Sequence, residues 1–191
     1  MKARDYREKA MSKIRGQWNS LALIALVEAL ILSFASSFVI GNFLIGGAIT
    51  LGVAGISLAV VRGKEFEISN LFDGFKNFVP SLVLYLVNTI LIALWSLLFI
   101  IPGIIKGYSY SMSFYILHDN PDMQADEARK KSIEMMNGHK WELFCLHFSF
   151  IGWFLLCGLT FGILSFWVLP YFRASEAEFY ENLKANCEQN S

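Results

Sequence analysis

The chain has 191 residues, 55% of them hydrophobic, with a mean hydropathy of +0.47 and equal numbers of acidic and basic residues. Soluble domains carry about 25% charged residues; here the share is 17% and the net charge is zero, which argues against an ordinary soluble domain and against a basic nucleic-acid footprint. Three cysteines, Cys145, Cys157 and Cys187, without tight spacing, argue against a disulfide framework and a zinc site.

Residues 1–19 form a basic arm. Ala3, Tyr6, Ala10, Ile14 and Trp18 recur at spacings of three and four, with Lys and Arg on the other faces. That pattern predicts an amphipathic helix lying on an anionic membrane surface. A first membrane span is expected at about 20–38, with Glu28 midway along it. A second is expected at 43–61, where Ala48, Gly52, Gly55 and Ala59 form one seam of small residues. Such a seam lets helix backbones approach closely in lipid, within one chain or between copies of a homo-oligomer.

"SNLFDGFKNFVP", from Ser69 to Pro80, puts Leu71, Phe72, Phe75 and Phe78 on one face. It reads as a short interfacial helix capped by Ser69 or Asn70. It leads into a third span at about 80–101, which holds Asn88.

"FIIPGIIKGYSYSMSFYILHDNP" then poses the central question of topology. Either the chain leaves the membrane at Pro102-Gly103, or it turns there and returns through a fourth span at about 103–118. Proline restricts itself and its predecessor, and glycine permits a tight reversal.

"PDMQADEARKKSIEMMNGHKW" predicts a cytoplasmic helix at 122–137, capped by Asp122 and stopped at Asn137-Gly138. Its stripe of Ala125, Ala128, Ser132 and Met136 would pack on the bundle rim or dock a partner. Fifth and sixth spans are expected at about 142–157 and 162–178, joined by a turn near Gly158–Gly162. The last charged block, the tail, holds the basic residues Arg173 and Lys184.

Charge placement decides between four spans and six. Every basic residue except Lys106, and every acidic residue except Glu28, falls into four blocks. These are the N-terminal arm, the segment around 62–76, the segment 119–142 and the tail. Six spans put all four blocks on one side and leave the outer turns near 36–42, 101–103 and 158–162 uncharged. Four spans put Arg129, Lys130 and Lys131 outside, against the positive-inside rule. The fold expected is therefore an all-α polytopic membrane bundle of six transmembrane helices, with four as the alternative. It would be a single integral membrane domain over 1–191 with both termini cytoplasmic.

The order of "LFDGFKNF", the PG-containing segment, "EARKKSIEMMNGHKWELF", "FIGWFLL" and "FWVLPY" resembles the uncharacterised bacterial integral membrane family known as domain of unknown function 975. The resemblance runs from about Gly16 to Lys184. The PG turn and the Gly-His-Lys-Trp segment are also distantly similar to the membrane domain fused to some glycerophosphodiester phosphodiesterases. The family implies a helical bundle in the bacterial cytoplasmic membrane and brings no catalytic residue, substrate or cofactor. This chain departs from the family pattern at Gln124, where Ser is usual, and at Arg129, where an apolar residue is usual. Both departures weaken the expected packing of the cytoplasmic helix.

No phosphate-binding glycine loop, HExxH, paired catalytic carboxylates or Cys/His metal pattern is present, so no enzyme, cofactor or metal is expected. His118-Asp119 and Gly138-His139 beside Trp141 are too little for a hydrolase. The candidate functional groups are the intramembrane polar residues Glu28, Lys106, Asn88 and His147. Glu28 is a functional candidate by default at its depth. It could pair with Lys106 or be neutral and hydrogen-bonded. Asn88, Ser109, Ser111, Ser113 and His147 would line a polar passage or tie helices together. Two readings stand beside each other. One is a non-enzymatic protein that binds lipid or cytoplasmic and membrane partners in envelope maintenance. The other is a small-solute or ion transporter using Glu28.

Overall fold

The computed structural model describes residues 3–36, 39–98 and 100–189. Among them every regular element is helical. In chain order these are α1 (Ala3–Ile14), α2 (Trp18–Ser36), α3 (Val39–Val61), a 3-10 segment (Ile68–Phe75), α4 (Phe78–Leu98), α5 (Ile100–Tyr110), α6 (Ser113–Asp119), α7 (Ala125–Met135), α8 (Lys140–Phe148), α9 (Ile151–Leu159) and α10 (Ser165–Gln189).

Among the described residues, two stretches are long and apolar enough to cross a membrane, Phe78–Leu97 and Lys140–Leu159. The pair α1 and α2, bent by 102°, makes a third if taken as one broken span.

Helix α1 departs from the surface-lying arm expected of residues 1–19. Its apolar face is the one the spacing names, but that face is consumed inside the protein. Tyr6, Ala10 and Ile14 are fully buried, chiefly against α10, with α8 and α3 alongside. The Tyr6 ring meets Phe179 edge-on at 5.2 Å, and its hydroxyl donates to Asn182. No wide apolar stripe is left on α1 for a membrane surface.

Helix α3 is the centre of the core, buried almost all round from Leu51 to Leu58. Its small-residue seam is filled within the chain. A Cβ on Gly52 would overlap the Leu71 carbonyl, one on Gly74 would overlap the Ala48 carbonyl, and one on Gly55 would overlap the His118 ring. The 3-10 segment therefore lies directly on the seam, backbone against backbone.

That segment is a 3-10 helix rather than an α-helix, and its period explains its rows. Three residues per turn eclipse positions i and i+3. Leu71 and Gly74 form the buried row. Phe72, Phe75 and Phe78 form an outer stack with ring centroids 6.3 and 6.1 Å apart. The cap is Glu67, not Ser69 or Asn70; Asn70 instead accepts the Glu67 N–H at 2.7 Å.

The reversal near Pro102 also differs from expectation. Pro102 and Gly103 are not the turn. Both lie within the first turn of α5; α4 ends at Leu98 and α5 begins at Ile100, and Phe99 lies outside the described residues. Proline suits a first helical turn because its missing N–H has no intrahelical partner there. Gly103 serves close packing: a Cβ there would overlap Ser96 of α4. Helices α4 and α5 thus form a tight hairpin. The stretch expected as one helix at 103–118 is two, α5 and α6, broken at Ser111-Met112. The outer turn expected at 36–42 has its middle, Ser37 and Phe38, outside the described residues.

The cytoplasmic helix expected at 122–137 is shorter, Ala125–Met135, and Gln124 rather than Asp122 is its N-cap. The Gln124 N–H donates to Glu127 at 3.4 Å. The stripe Ala125, Ala128, Ser132 and Met136 is buried. It packs against α4, α5 and α6, and Ser132 Oγ donates to the Ser109 carbonyl at 2.8 Å. The stripe is therefore spent on the bundle. Arg129 does not unseat it; the side chain is only 18% exposed and lies beside the Tyr110 ring, 6.0 Å from its centroid.

The last helix runs without interruption from Ser165 through Pro170 to Gln189. The polar tail is thus the second half of a buried helix. The turn before it holds Phe161 at φ 51° and Gly162 at φ 84°.

Candidate functional site

Helix α10 is a polar spine, and eight of its polar residues meet partners elsewhere in the chain. Near its start, the Tyr171 hydroxyl accepts from Arg7 Nε at 3.3 Å. Arg7 also donates to the Ser149 carbonyl at 3.1 Å, at the break between α8 and α9, and its guanidinium lies 5.0 Å from the Phe150 ring centroid. The break frees that carbonyl and Arg7 satisfies it.

Next along the spine, Arg173 grips Glu28 through both guanidinium nitrogens, one at 2.7 Å. The Glu28 carboxylate is only 9% exposed. Bidentate guanidinium–carboxylate pairing is the strongest geometry the two groups have. A void of about 20 Å³ lies beside Arg173, bordered by Ile24, Ser57 and Pro170; it has the volume of about one water molecule.

One turn on, Glu176 meets His147 Nε2 at 2.9 Å. The His147 ring is held between Phe172 and Tyr108, at 4.9 and 5.4 Å between centroids. Glu178 then pairs with Lys13.

The most connected cluster centres on Asp119. Its carboxylate accepts from Arg62 at 2.8 and 2.7 Å, from Lys184 at 2.8 Å and from the Tyr180 hydroxyl at 3.1 Å. Arg62 also reaches Glu181 at 2.8 Å. Burial pushes the Asp119 carboxyl up, but the hydrogen bonds and charges of Arg62 and Lys184 outweigh it and hold it at about 2. Burial, and then Asp119 itself, push the Tyr180 hydroxyl up.

The residues named from sequence distribute as follows. Glu28 pairs with Arg173, not Lys106. Lys106 instead sits over the Trp95 ring at 5.2 Å, across the α4–α5 hairpin. Asn88 is buried and its Oδ1 has no hydrogen-bond partner. His147 faces an open groove of about 320 Å³ between the α4–α5 hairpin and α8, lined also by Ile92, Ser96, Ile104, Gly107 and Ser111. Ser109 and Ser113 bond to carbonyls of their own helical turns, Ile105 and Tyr110. Among the described residues these groups share no hydrogen bond: Glu28 is tied to Arg173 and His147 to Glu176.

Sequence reasoning missed Arg173, Arg7 and Asp119, because it assigned all three to charged blocks outside the spans. One signal was available. Ala174, Ser175 and Ala177 are small residues set among Arg173, Glu176 and Glu178, as expected where a charged helix is packed closely.

Among the described residues, no group of three or more His, Cys, Asp or Glu comes together to hold a metal ion. The three cysteines are free thiols.

An all-helical bundle with an internal polar spine and apolar outer faces places the chain among helical-bundle proteins with membrane-length helices. The chain belongs to the family described as Protein of unknown function (DUF975), whose pattern matches residues 1–106 and 97–187. No curated protein and no solved structure matches it.

Proposed function

We propose that this is a non-enzymatic integral protein of the bacterial cytoplasmic membrane. It crosses six times with both termini cytoplasmic, and it binds lipid and envelope partners. The carrying observation is a belt of large apolar side chains that face outward on α4, α5, α8 and α9. Val79, Leu97, Ile101, Phe148, Leu155, Leu159 and Phe161 are all more than 60% exposed. An outward apolar surface of this extent is stable only against an apolar medium or another apolar surface.

The same geometry weighs against a transporter that uses Glu28 as a mobile carrier. Its carboxylate is held in a two-pronged grip by Arg173, which fits a tie between α2 and α10. Partners, on this reading, meet the polar outer side of α7, where Asp126, Glu127, Lys130 and Glu134 are exposed. The small-residue seam is already covered by the 3-10 segment.

Sidedness tests the reading. With the native cysteines removed and one placed at Lys130, an impermeant thiol reagent should label only permeabilised cells. Ready labelling of intact cells would overturn the six-span arrangement.

A further inference from the structure

We propose that the cleft between the start of α2 and the loop joining α3 to the 3-10 segment binds a phospholipid with a primary-ammonium head, of the phosphatidylethanolamine class. Its head lies at Glu65 and Lys64, and an acyl chain lies along Leu23 and Ile68. The inference rests on the membrane reading above and names a lipid for it.

The cleft is two adjoining cavities of about 620 and 370 Å³, which share Ser20, Phe66 and Glu67. Each has the size of a small-molecule site. The larger is bordered by Gln17, Lys64, Glu65 and Asn70, the smaller by Leu23, Ile24 and Ile68. One end is therefore polar and the other largely apolar. Gln17, Ser20 and Ile24 follow one another at steps of three and four, so the cleft runs along α2, over about 10 Å at 1.5 Å per residue. In the proposed topology α2 enters the membrane from the cytoplasmic side. The polar end then stands at headgroup level and the apolar end about two turns deeper. A phospholipid has that same order of head and chain.

Charge selects the head. The polar end carries two carboxylates, Glu65 and Glu67, against one ammonium, Lys64. Glu67 is anchored by the Asn70 N–H and the Ser69 hydroxyl. Lys64 and Glu65 are exposed and form no ion pair among the described residues. The side-chain oxygen of Gln17, which borders the same end, is buried and has no hydrogen-bond partner. This excess of acceptors opposes a head of net negative charge. It matches a head that brings N–H donors, and a primary ammonium brings three. Lys64 supplies the cation for the phosphate. A trimethylammonium head has the charge but no N–H to donate. The apolar end distinguishes a lipid from a free amine: Leu23 is 46% exposed and Ile68 36%, a surface that only an acyl chain uses.

The test is native mass spectrometry of the full chain in detergent micelles with equal amounts of phosphatidylethanolamine, phosphatidylcholine and phosphatidylglycerol. Phosphatidylethanolamine should be retained about tenfold over the other two. Glu65→Lys turns the acceptor excess into a cationic one and should shift the preference to phosphatidylglycerol. Ser20→Trp fills the middle of the cleft and should abolish the preference; if that variant does not elute as a folded peak, Leu23→Trp provides an independent block. Glycerophosphoethanolamine, which has the head without the chains, should not displace the lipid at equal concentration. Equal retention of the three lipids, or a preference unmoved by Glu65→Lys and by the blocking variants, would overturn the site. Displacement by the chain-free head would overturn the lipid in favour of a free amine. Both results leave the membrane reading intact, since that falls only with the sidedness result.

Discussion

Along α10, Tyr171, Arg173, Glu176, Glu178, Tyr180, Glu181, Asn182 and Lys184 each meet a partner from another part of the chain. The α4–α5 hairpin is held differently. Its two helices meet at Gly103 against Ser96 and at Lys106 over Trp95, and the remaining outer positions, from Val79 to Leu97, carry exposed apolar side chains. The first region selects its neighbours by charge and hydrogen bonding. The second fits by shape and leaves its outer face to the surrounding medium. Pairing decides which helices lie side by side; apolar exposure decides what medium surrounds them.

The comparison breaks most readily at Glu28. Glu28→Ala leaves Arg173 buried without its carboxylate, and losing one member of a buried pair costs about 3–5 kcal/mol. The double variant Glu28→Leu, Arg173→Met should recover most of that loss. Thermal denaturation in detergent, followed by size exclusion, measures both. If the single and double variants are equally stable, the pair is not a tie.

Asp119 is expected to matter somewhat less, because Arg62 keeps Glu181. Asp119→Asn should cost about 2–3 kcal/mol. The pH dependence has a defined sign. Asp119 titrates lower in the folded state than in the unfolded chain, so its contribution is complete above about pH 4 and lost as pH falls through about 2. The contribution is on the order of 2 kcal/mol. Acid unfolding of wild type and Asp119→Asn should converge across that window; parallel curves would contradict it.

At the seam, Gly52→Ala or Gly74→Ala forces a methyl group into a carbonyl of the facing backbone. The cost is about 1–3 kcal/mol or more, read as a lower midpoint in the same assay. The hairpin tip should be the least sensitive part. Leu97 is 86% exposed, and Leu97→Ala in detergent should change stability by no more than about 0.5 kcal/mol. A loss as large as that of Glu28→Ala would show that the outer face is packed and not solvated.

Much of this arrangement can be read in the residues. Spacing of small residues marks Gly52 and Gly55 as a close-approach surface, and periodicity names Tyr6, Ala10 and Ile14 as a buried face. Periodicity says which face is buried, not against what. It therefore sent α1 to the membrane and left α7's stripe between the bundle rim and a partner, while the chain itself supplies both surfaces. Counting charges by side also treats each charge as solvated. Arg7, Arg173 and Asp119 were lost that way, since their partners are 57 to 164 residues distant and no local pattern announces them. Pro102-Gly103 was misread for a third reason. The dipeptide fits a turn and a first helical turn equally well, and only Ser96 across the hairpin distinguishes the two.

The contact of Tyr6 with Asn182 has a consequence for synthesis. The two residues are 176 positions apart. A ribosome adding about 5–20 residues per second needs roughly 9–35 s to make that interval. Throughout it, α1 exists and the surface that buries it does not. Its apolar side is exposed and its basic side is free, the composition that adheres to an anionic bilayer. On the proposed membrane reading, the bilayer surface would hold α1 during translation until α10 emerges to replace it.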